Sequence, residues 1–195
     1  MQLAGIVLSA YLLGSVPTGF VLGHLMGIDV RRGGSGNIGA SNVVRLVGWK
    51  AGVITLLADV AKGLIPVLVA VHLSFNSNGQ ALTGLAAFLG HLYPVFLKFR
   101  GGKGVATALG VVLGLAPWVI LALLPVFIVV VWLTRWISLA SLCAAVLAPP
   151  GVWLFSYGRP VFWATLVIGA LIIWRHRENI QRLRAGTEAK LHRSS

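Results

Sequence analysis

Long apolar runs alternate with short polar segments along nearly the whole chain. The apolar runs fall at 3–26, 51–73, 81–97, 105–116, 118–134, 137–155 and 160–174. A helix needs about 20 apolar residues, with a range of about 17–25, to cross the hydrocarbon core of a bilayer. The fourth and seventh runs are short by that measure. A spanning segment must satisfy its own backbone polar groups, and a helix does so. The pattern therefore predicts an all-α, polytopic integral membrane protein. Pro117 and Trp118 stand between the fourth and fifth runs. They mark either a turn between two helices or a kink in one helix over 105–133.

Charge separates these two readings. Take seven spans with the N-terminus outside. The inner segments then hold Arg31, Arg32, Arg45, Lys50, Lys98, Arg100, Lys103, Arg135, Arg175, Arg177, Arg182, Arg184, Lys190 and Arg193, and the outer ones hold only Arg159. With six spans the tail changes sides and the basic residues divide almost evenly. Cytoplasmic loops carry the excess of Lys and Arg, so seven spans are expected, with the C-terminus cytoplasmic. Short spans are tolerated where a helix begins at depth beside a polar cavity.

Composition agrees with this class. Of 195 residues, 57% are hydrophobic and 10% charged, with a mean hydropathy of +0.90. A net charge of +12 raises the question of nucleic acid. The charge lies in short loops between apolar runs, with no basic stripe interleaved with aromatics, so no nucleic-acid partner is expected. Cys143 is the one cysteine and lies in an apolar run, which excludes an internal disulfide and makes it a small core hydrophobe. Met1-Gln2-Leu3-Ala4 lacks a basic region, so no cleaved signal peptide is expected. No domain boundary is visible. The chain reads as one membrane domain over 1–195, with 185–195 a loosely ordered tail.

The polar segments carry more chemistry than connectors need. The loop from Arg31 to Arg45 offers hydroxyls and amides from Ser35, Asn37, Ser41 and Asn42, the flexible Gly36, and the planar fork of Arg45. That fork suits two phosphate oxygens. Ser and Asn also cap helices and Gly makes turns, but four such residues in eight positions exceed capping needs. Gly101-Gly102-Lys103-Gly104 stands where the fourth span begins. A helix N-terminus offers unpaired N–H groups and a partial positive charge to an anion, and Lys103 adds a mobile cation. The alternative is a flexible basic turn that fixes topology. The spacing is not that of a nucleotide-binding P-loop, so ATP is not implied.

Asp59 and Lys62 share a helix face inside the second span. They form either a structural ion pair or part of a substrate site. His91 closes the third span and can donate to phosphate or satisfy a carbonyl. At the end of the seventh span, Arg175 and Arg177 read as membrane anchors. His176 and Asn179 lie one turn apart and can face one site, beside Glu178. His24 and Asp29 show a His-x-x-x-x-Asp spacing that other glycerolipid acyltransferases use as a dyad. It lacks matching downstream blocks here and reads as coincidence. His72 and His192 read as interfacial. No cluster has metal-ligand spacing, so no metal is expected.

Three of these segments carry a resemblance. They are Gly34-Ser35-Gly36-Asn37-Ile38-Gly39-Ala40-Ser41-Asn42-Val43 with Arg45; Gly90-His91-Leu92-Tyr93-Pro94-Val95-Phe96 through Gly101-Gly102-Lys103-Gly104-Val105-Ala106-Thr107; and Arg175-His176-Arg177-Glu178-Asn179-Ile180 with Arg182-Leu183. With these in order, the chain resembles the bacterial acyl-phosphate:glycerol-3-phosphate acyltransferases (PlsY type) over nearly its whole length. Ser41 stands where that family more often has Thr, and keeps the hydroxyl.

The resemblance implies a seven-helix enzyme of the bacterial inner membrane, with its motifs on the cytoplasmic side. It would be a monomer without cofactor, coupled in function to the enzyme that makes acyl phosphate. It would transfer a fatty acyl group from acyl phosphate to the sn-1 hydroxyl of glycerol 3-phosphate, giving lysophosphatidic acid and phosphate. By resemblance, Ser35 and Arg45 are essential, the glycine loop binds the glycerol phosphate, His176 and Asn179 contribute to activity, and Glu178 holds structure.

The residues fit such chemistry. Acyl phosphate is already activated, so the enzyme chiefly brings two anions together and stabilises a developing oxyanion. Arg45, Lys103 and glycine N–H groups suit that task. No Cys or base-activated Ser nucleophile is evident, so direct attack without an acyl-enzyme is expected. The sequence does not identify the general base; His176 is one candidate and the departing phosphate another. A transporter of organic phosphates would use similar residues, but here they cluster at one face and no inverted repeat is visible. A scaffold for anionic lipid leaves Ser35, Asn37 and Asn179 without purpose.

Overall fold

The computed structural model describes residues 2–191, and among them the chain is helical with no strand. The helices are α1 Gln2–Gly14, α2 Thr18–Leu25, α3 Ala40–Leu46, α4 Trp49–His72, α5 Ser77–Leu92, α6 Val105–Leu115, α7 Pro117–Thr134, α8 Ile137–Leu154, α9 Arg159–Arg175 and α10 Arg177–Arg184, with a 3₁₀ turn at Val95–Leu97. His192 and Arg193 lie outside the described residues.

Local chemistry sets the ends. Pro17 lacks an N–H and disfavours helix in the residue before it, so the first apolar run divides into α1 and α2. The Asn76 side chain caps α5 by accepting the Gly79 N–H at 3.0 Å. Between α6 and α7, Ala116 is non-helical at φ −150° and ψ 67°, and Pro117 opens a new helix. The helix is interrupted there, and α6 and α7 are separate elements.

The described helices group into two compact units, 2–115 and 116–191. No shift in composition marks the division; it follows which helices pack together. In the first unit α1 lies along α5, and α4 lies along α6, α5 and α3. Small residues let these backbones approach, as in many membrane bundles. A Cβ on Gly63 would strike the Thr107 carbonyl of α6, and one on Gly110 would strike the Val60 carbonyl of α4. Gly14 and Gly90 stand in the same relation to the Ala87 and Tyr11 carbonyls across α1 and α5. In the second unit α8 packs against α7 and α9, with Gly169 close to the Ala145 carbonyl.

Five stretches among the described residues are long and apolar enough to cross a membrane: Gln2–Leu25, Trp49–His72, Ser77–Leu97, Pro117–Thr134 and Ile137–Leu154. Their exposed Leu57, Ile128, Trp132 and Leu154 are the side chains a lipid environment accepts. Helix α6 has 11 residues. At about 1.5 Å per residue it falls well short of the roughly 30 Å hydrocarbon core.

Residues 187–191, read from the sequence as part of a loose polar tail, are fastened to the second unit. Leu191 N–H donates to the Arg135 carbonyl at 2.8 Å, and the Trp136 indole N–H donates to the Glu188 carbonyl at 3.3 Å.

Candidate active site

The loop before α3 is organised by one buried side chain. Asn42 is fully buried, and its Oδ1 accepts the Ser35 N–H at 2.9 Å. Its Nδ2 donates to the carbonyls of Val30 at 2.8 Å, Asn37 at 2.9 Å and Gly33 at 3.2 Å. Asn42 therefore holds the loop it was expected to help present. Gly34 is left-handed at φ 57°, and a Cβ there would collide with Asn42 Oδ1. This packing puts Ser35, Gly36, Ser41 and Arg45 at the exposed surface, with the Asn37 side chain half-buried. The Arg45 side chain runs past the loop, its Cδ 3.4 Å from the site of a Gly34 Cβ. It makes no hydrogen bond or ion pair among the described residues.

A second cluster lies inside the first unit. Lys62 is 5% exposed, and its ammonium meets Asp59 Oδ1 at 2.8 Å and the Val16 carbonyl at 2.8 Å. That carbonyl sits at the break between α1 and α2. The ammonium thereby ties the break between α1 and α2 to α4. His91 is buried, with Nδ1 3.1 Å from Thr107 Oγ1 and 3.8 Å from Asp59 Oδ1. Thr107 is a partner the sequence did not single out.

The glycine loop differs from its expected use. Gly101 N–H donates to the Leu92 carbonyl at 3.1 Å and Gly102 N–H to the His91 carbonyl at 3.2 Å. Those two donors close the end of α5 instead of waiting for an anion. The glycines are needed for close approach. A Cβ on Gly102 would strike His91 Nε2, and one on Gly101 the His91 carbonyl. Gly104 is left-handed at φ 79° against Phe88 and Leu92. Lys103 follows, half-buried, just before α6.

Core packing brings the two loops to one end of this unit. Leu97, between α5 and the glycine loop, shares a small buried cluster with Val30, Ile38 and Val43 of the Ser35 loop. Beside them lies an open groove of about 570 Å³ lined by Phe20, Arg31, Phe96, Leu97, Lys98 and Arg100. His24 and Asp29 do not form a dyad. His24 stacks on Phe20 at 6.0 Å, and Asp29 takes the Arg31 guanidinium at 2.9 and 2.8 Å. Those hydrogen bonds hold the Asp29 carboxyl well below the usual carboxylate range.

The second unit carries the remaining residues. His176 ends α9, buried, with Nδ1 2.8 Å from the Ile172 carbonyl. A carbonyl only accepts, so Nδ1 is the donor in this contact. Asn179 is buried one turn on, while Glu178 between them is exposed. Asn179 Nδ2 donates to Glu188 Oε1 at 2.6 Å, and Arg182 Nε donates to Glu188 Oε2 at 2.7 Å. Burial pushes the Glu188 carboxyl up, but Asn179, Ser138 and Arg182 around it outweigh that and hold the group below its ordinary range. Sequence reading missed Glu188. The available signal was scarcity: the chain has only 4 acidic residues.

Comparison with known proteins gives one answer. Residues 4–186 match the family model described as glycerol-3-phosphate acyltransferase. A glycerol-3-phosphate acyltransferase of Geobacter metallireducens is 57% identical over 179 residues, covering 92% of each chain. One of Aquifex aeolicus is 48% identical over 96% of this chain and 98% of its own. Among solved structures, the glycerol 3-phosphate form of PlsY (YgiH), an integral membrane glycerol 3-phosphate acyltransferase, is 46% identical. It covers 98% of this chain and 96% of its own, with a TM-score of 0.95. Its lysophosphatidic acid form gives a TM-score of 0.92 at the same identity and coverage. With a family model spanning almost the whole chain and relatives at about half identity, the protein belongs to the glycerol-3-phosphate acyltransferase family.

Proposed function

We propose that this protein transfers a fatty acyl group from acyl phosphate to the sn-1 hydroxyl of glycerol 3-phosphate, releasing lysophosphatidic acid and inorganic phosphate. The observation that carries the reading is the likeness, over 98% of the chain, to an acyltransferase solved in its glycerol 3-phosphate form. The exposed Ser35, on a loop tied down by Asn42, and the exposed Arg45, on α3 beside it, support it from the chain's own geometry. The sorting of basic residues supports seven spans, a cytoplasmic site and the bacterial inner membrane, with a monomer sufficient for the chemistry.

The step needs no cofactor. The sn-1 oxygen attacks the carbonyl carbon of the mixed anhydride. The bond from that carbon to the phosphate oxygen breaks, and phosphate leaves with the bonding pair. Two anions must meet, so cations are the main requirement. Arg45 offers two parallel donors to phosphate oxygens, and Lys103 a mobile point charge. Ser35 offers a hydroxyl to the reacting carbonyl or phosphate. The hydroxyl proton passes to His176 or to the departing phosphate. Asn179 orients a glycerol hydroxyl. The groove of Phe20, Phe96, Arg31, Lys98 and Arg100 suits a donor with an anionic head and an apolar tail. Direct attack, without an acyl-enzyme, fits a donor already activated.

The test is an assay of purified protein in detergent or lipid cubic phase. Palmitoyl phosphate and glycerol 3-phosphate are supplied, and phosphate and lysophosphatidic acid are followed together. Both products form, and both vanish in Arg45→Ala. Activity with palmitoyl-CoA alone would replace the proposed donor. A hydroxylamine-sensitive acyl-protein would replace direct attack. Folded protein silent with every donor would move the reading to transport, checked by uptake into proteoliposomes.

A further inference from the structure

We infer that the groove beside the Ser35 loop is a docking site for a single-chain lipid phosphate, with Lys98 and Arg100 holding the phosphate and Phe20, Phe96 and Leu97 the first part of the chain. Which such lipid arrives, the acyl phosphate consumed or the lysophosphatidate made, rests on the reading above.

The backbone gives the first observation. Lys98 at φ 51° and Phe99 at φ 63° are consecutive left-handed residues, and neither is glycine. That region disfavours a side chain, and two such residues in a row are rarer still. The turn is closed by its own backbone: Phe99 N–H donates to the Pro94 carbonyl at 2.9 Å and Arg100 N–H to the Leu97 carbonyl at 3.1 Å. Glycine at 98 would make the same turn with less strain. A lysine there points to a use for its side chain, and strain of this kind gathers at ligand clamps. The turn sets Lys98 and Arg100 on the groove, while Phe99 between them is exposed and outside its lining.

Charge gives the second. The groove of about 570 Å³ is lined by the cations Arg31, Lys98 and Arg100. Arg31 lies over the Phe20 ring at 4.4 Å and is taken by Asp29 at 2.9 and 2.8 Å. Lys98 and Arg100 are exposed, and their side chains make no hydrogen bond or ion pair among the described residues. Asp29 offsets Arg31, so the charges of Lys98 and Arg100 remain. A phosphate joined through a single oxygen carries about −1.5 to −2 at pH 7 and matches them. The phosphodiester of a two-chain phospholipid carries only a single charge. Glycerol 3-phosphate has the charge but would leave Phe20, Phe96 and Leu97 bare. A lipid ending in a phosphate satisfies both walls. The site also lies where such a lipid is needed: the Arg31 carbonyl is 3.3 Å from the place of a Gly36 Cβ, so the groove borders the turn that carries Ser35.

The experiment titrates dodecyl phosphate, and its methyl diester as control, into the protein in phosphatidylcholine nanodiscs with glycerol 3-phosphate saturating. The parent is compared with Lys98→Gln, Arg100→Gln and Lys98→Gly, with melting temperatures and steady-state kinetics for each. Loss of a charge-assisted hydrogen bond predicts about 10-fold weaker dodecyl phosphate in each variant. The KM for palmitoyl phosphate rises by a similar factor, and that for glycerol 3-phosphate stays within about two-fold. Lys98→Gly loses affinity without losing melting temperature, because the turn itself is eased. The diester binds the parent about as weakly as dodecyl phosphate binds the variants. Displacement of dodecyl phosphate by palmitoyl phosphate assigns the groove to the donor, and displacement by lysophosphatidate alone assigns it to the product. Unchanged affinity in the variants, equal affinity for the diester, or equal displacement by phosphatidylglycerol in the nanodisc would overturn the inference, even in a protein that turns over acyl phosphate normally. The expected binding in a folded protein that transfers no acyl group from any donor supports the groove and overturns the transferase reading instead.

Discussion

The ammonium of Lys62 donates to the carbonyl oxygen of Val16 at 2.8 Å, across 46 residues of chain. Pro17 ends one helix and leaves that carbonyl at a break inside the first apolar run. A bare carbonyl there would face an apolar surrounding. Lys62 covers it and draws its own countercharge from Asp59 on the preceding turn.

Removing one member of this pair strands the other. Lys62→Met leaves the Asp59 carboxylate buried without its ammonium, a loss of about 3–5 kcal/mol for such a pair. The melting temperature in detergent falls sharply, while Asp59→Asn combined with Lys62→Met regains most of it. A Lys62→Met protein with unchanged melting temperature and raised KM for glycerol 3-phosphate would instead put the ammonium on the substrate.

Asn42→Ala leaves four loop groups without their partner at once. Each buried polar group left unpaired costs about 1–3 kcal/mol. The loop relaxes locally, so hydrogen exchange over 30–39 speeds up and kcat/KM drops about 10-fold or more, with the helices intact. Gly34→Ala produces the same pattern by another route. Its left-handed φ of 57° disfavours a side chain, and its new Cβ collides with Asn42 Oδ1. Protected loop amides beside lost activity would place Asn42 on the substrate directly.

Arg45→Lys tests the planar fork. Lysine restores charge but not two parallel donors. If the guanidinium grips a phosphate through both, Arg45→Lys stays close to Arg45→Ala, about 100-fold or more below the parent in kcat/KM. Recovery to within a few-fold in Arg45→Lys would reduce its role to charge alone.

Much of the helical layout was legible because apolar length and proline placement are local properties. The apolar run around α4 and a break at Pro17 needed only residue types and their order. The site was legible as a set of residues but not as a set of bonds. Asn42 and Asn179 are both amides near glycines or basic residues, and nothing local tells which one holds a loop. Gly101 and Gly102 promised free N–H groups, yet the end of α5, about ten residues back, claims them. Lys62 and Glu188 were hardest, since Val16 and Trp136 lie 46 and 52 residues away in the chain. Pairings at that range are set by packing, which residue type alone does not encode.

Glu188 also gives a pH dependence whose sign follows from its bonds. Its carboxyl is held below the ordinary value of 4.5. At mildly acidic pH the unfolded chain therefore binds a proton there more readily than the folded one, so stability rises with pH in that window. The contribution is fully present above the unfolded value and is lost as pH falls through the folded one. Glu188→Gln has nothing to titrate at this position. The parent should melt above Glu188→Gln at neutral pH, and the gap should close as pH is lowered toward about 4 and below. Asp29, whose carboxyl is also lowered, is present in both proteins and drops out of the difference. Melting curves of the two proteins across that range decide the matter: a gap that stays constant with pH would mean that the charge of Glu188 contributes nothing to holding residues 187–191 in place.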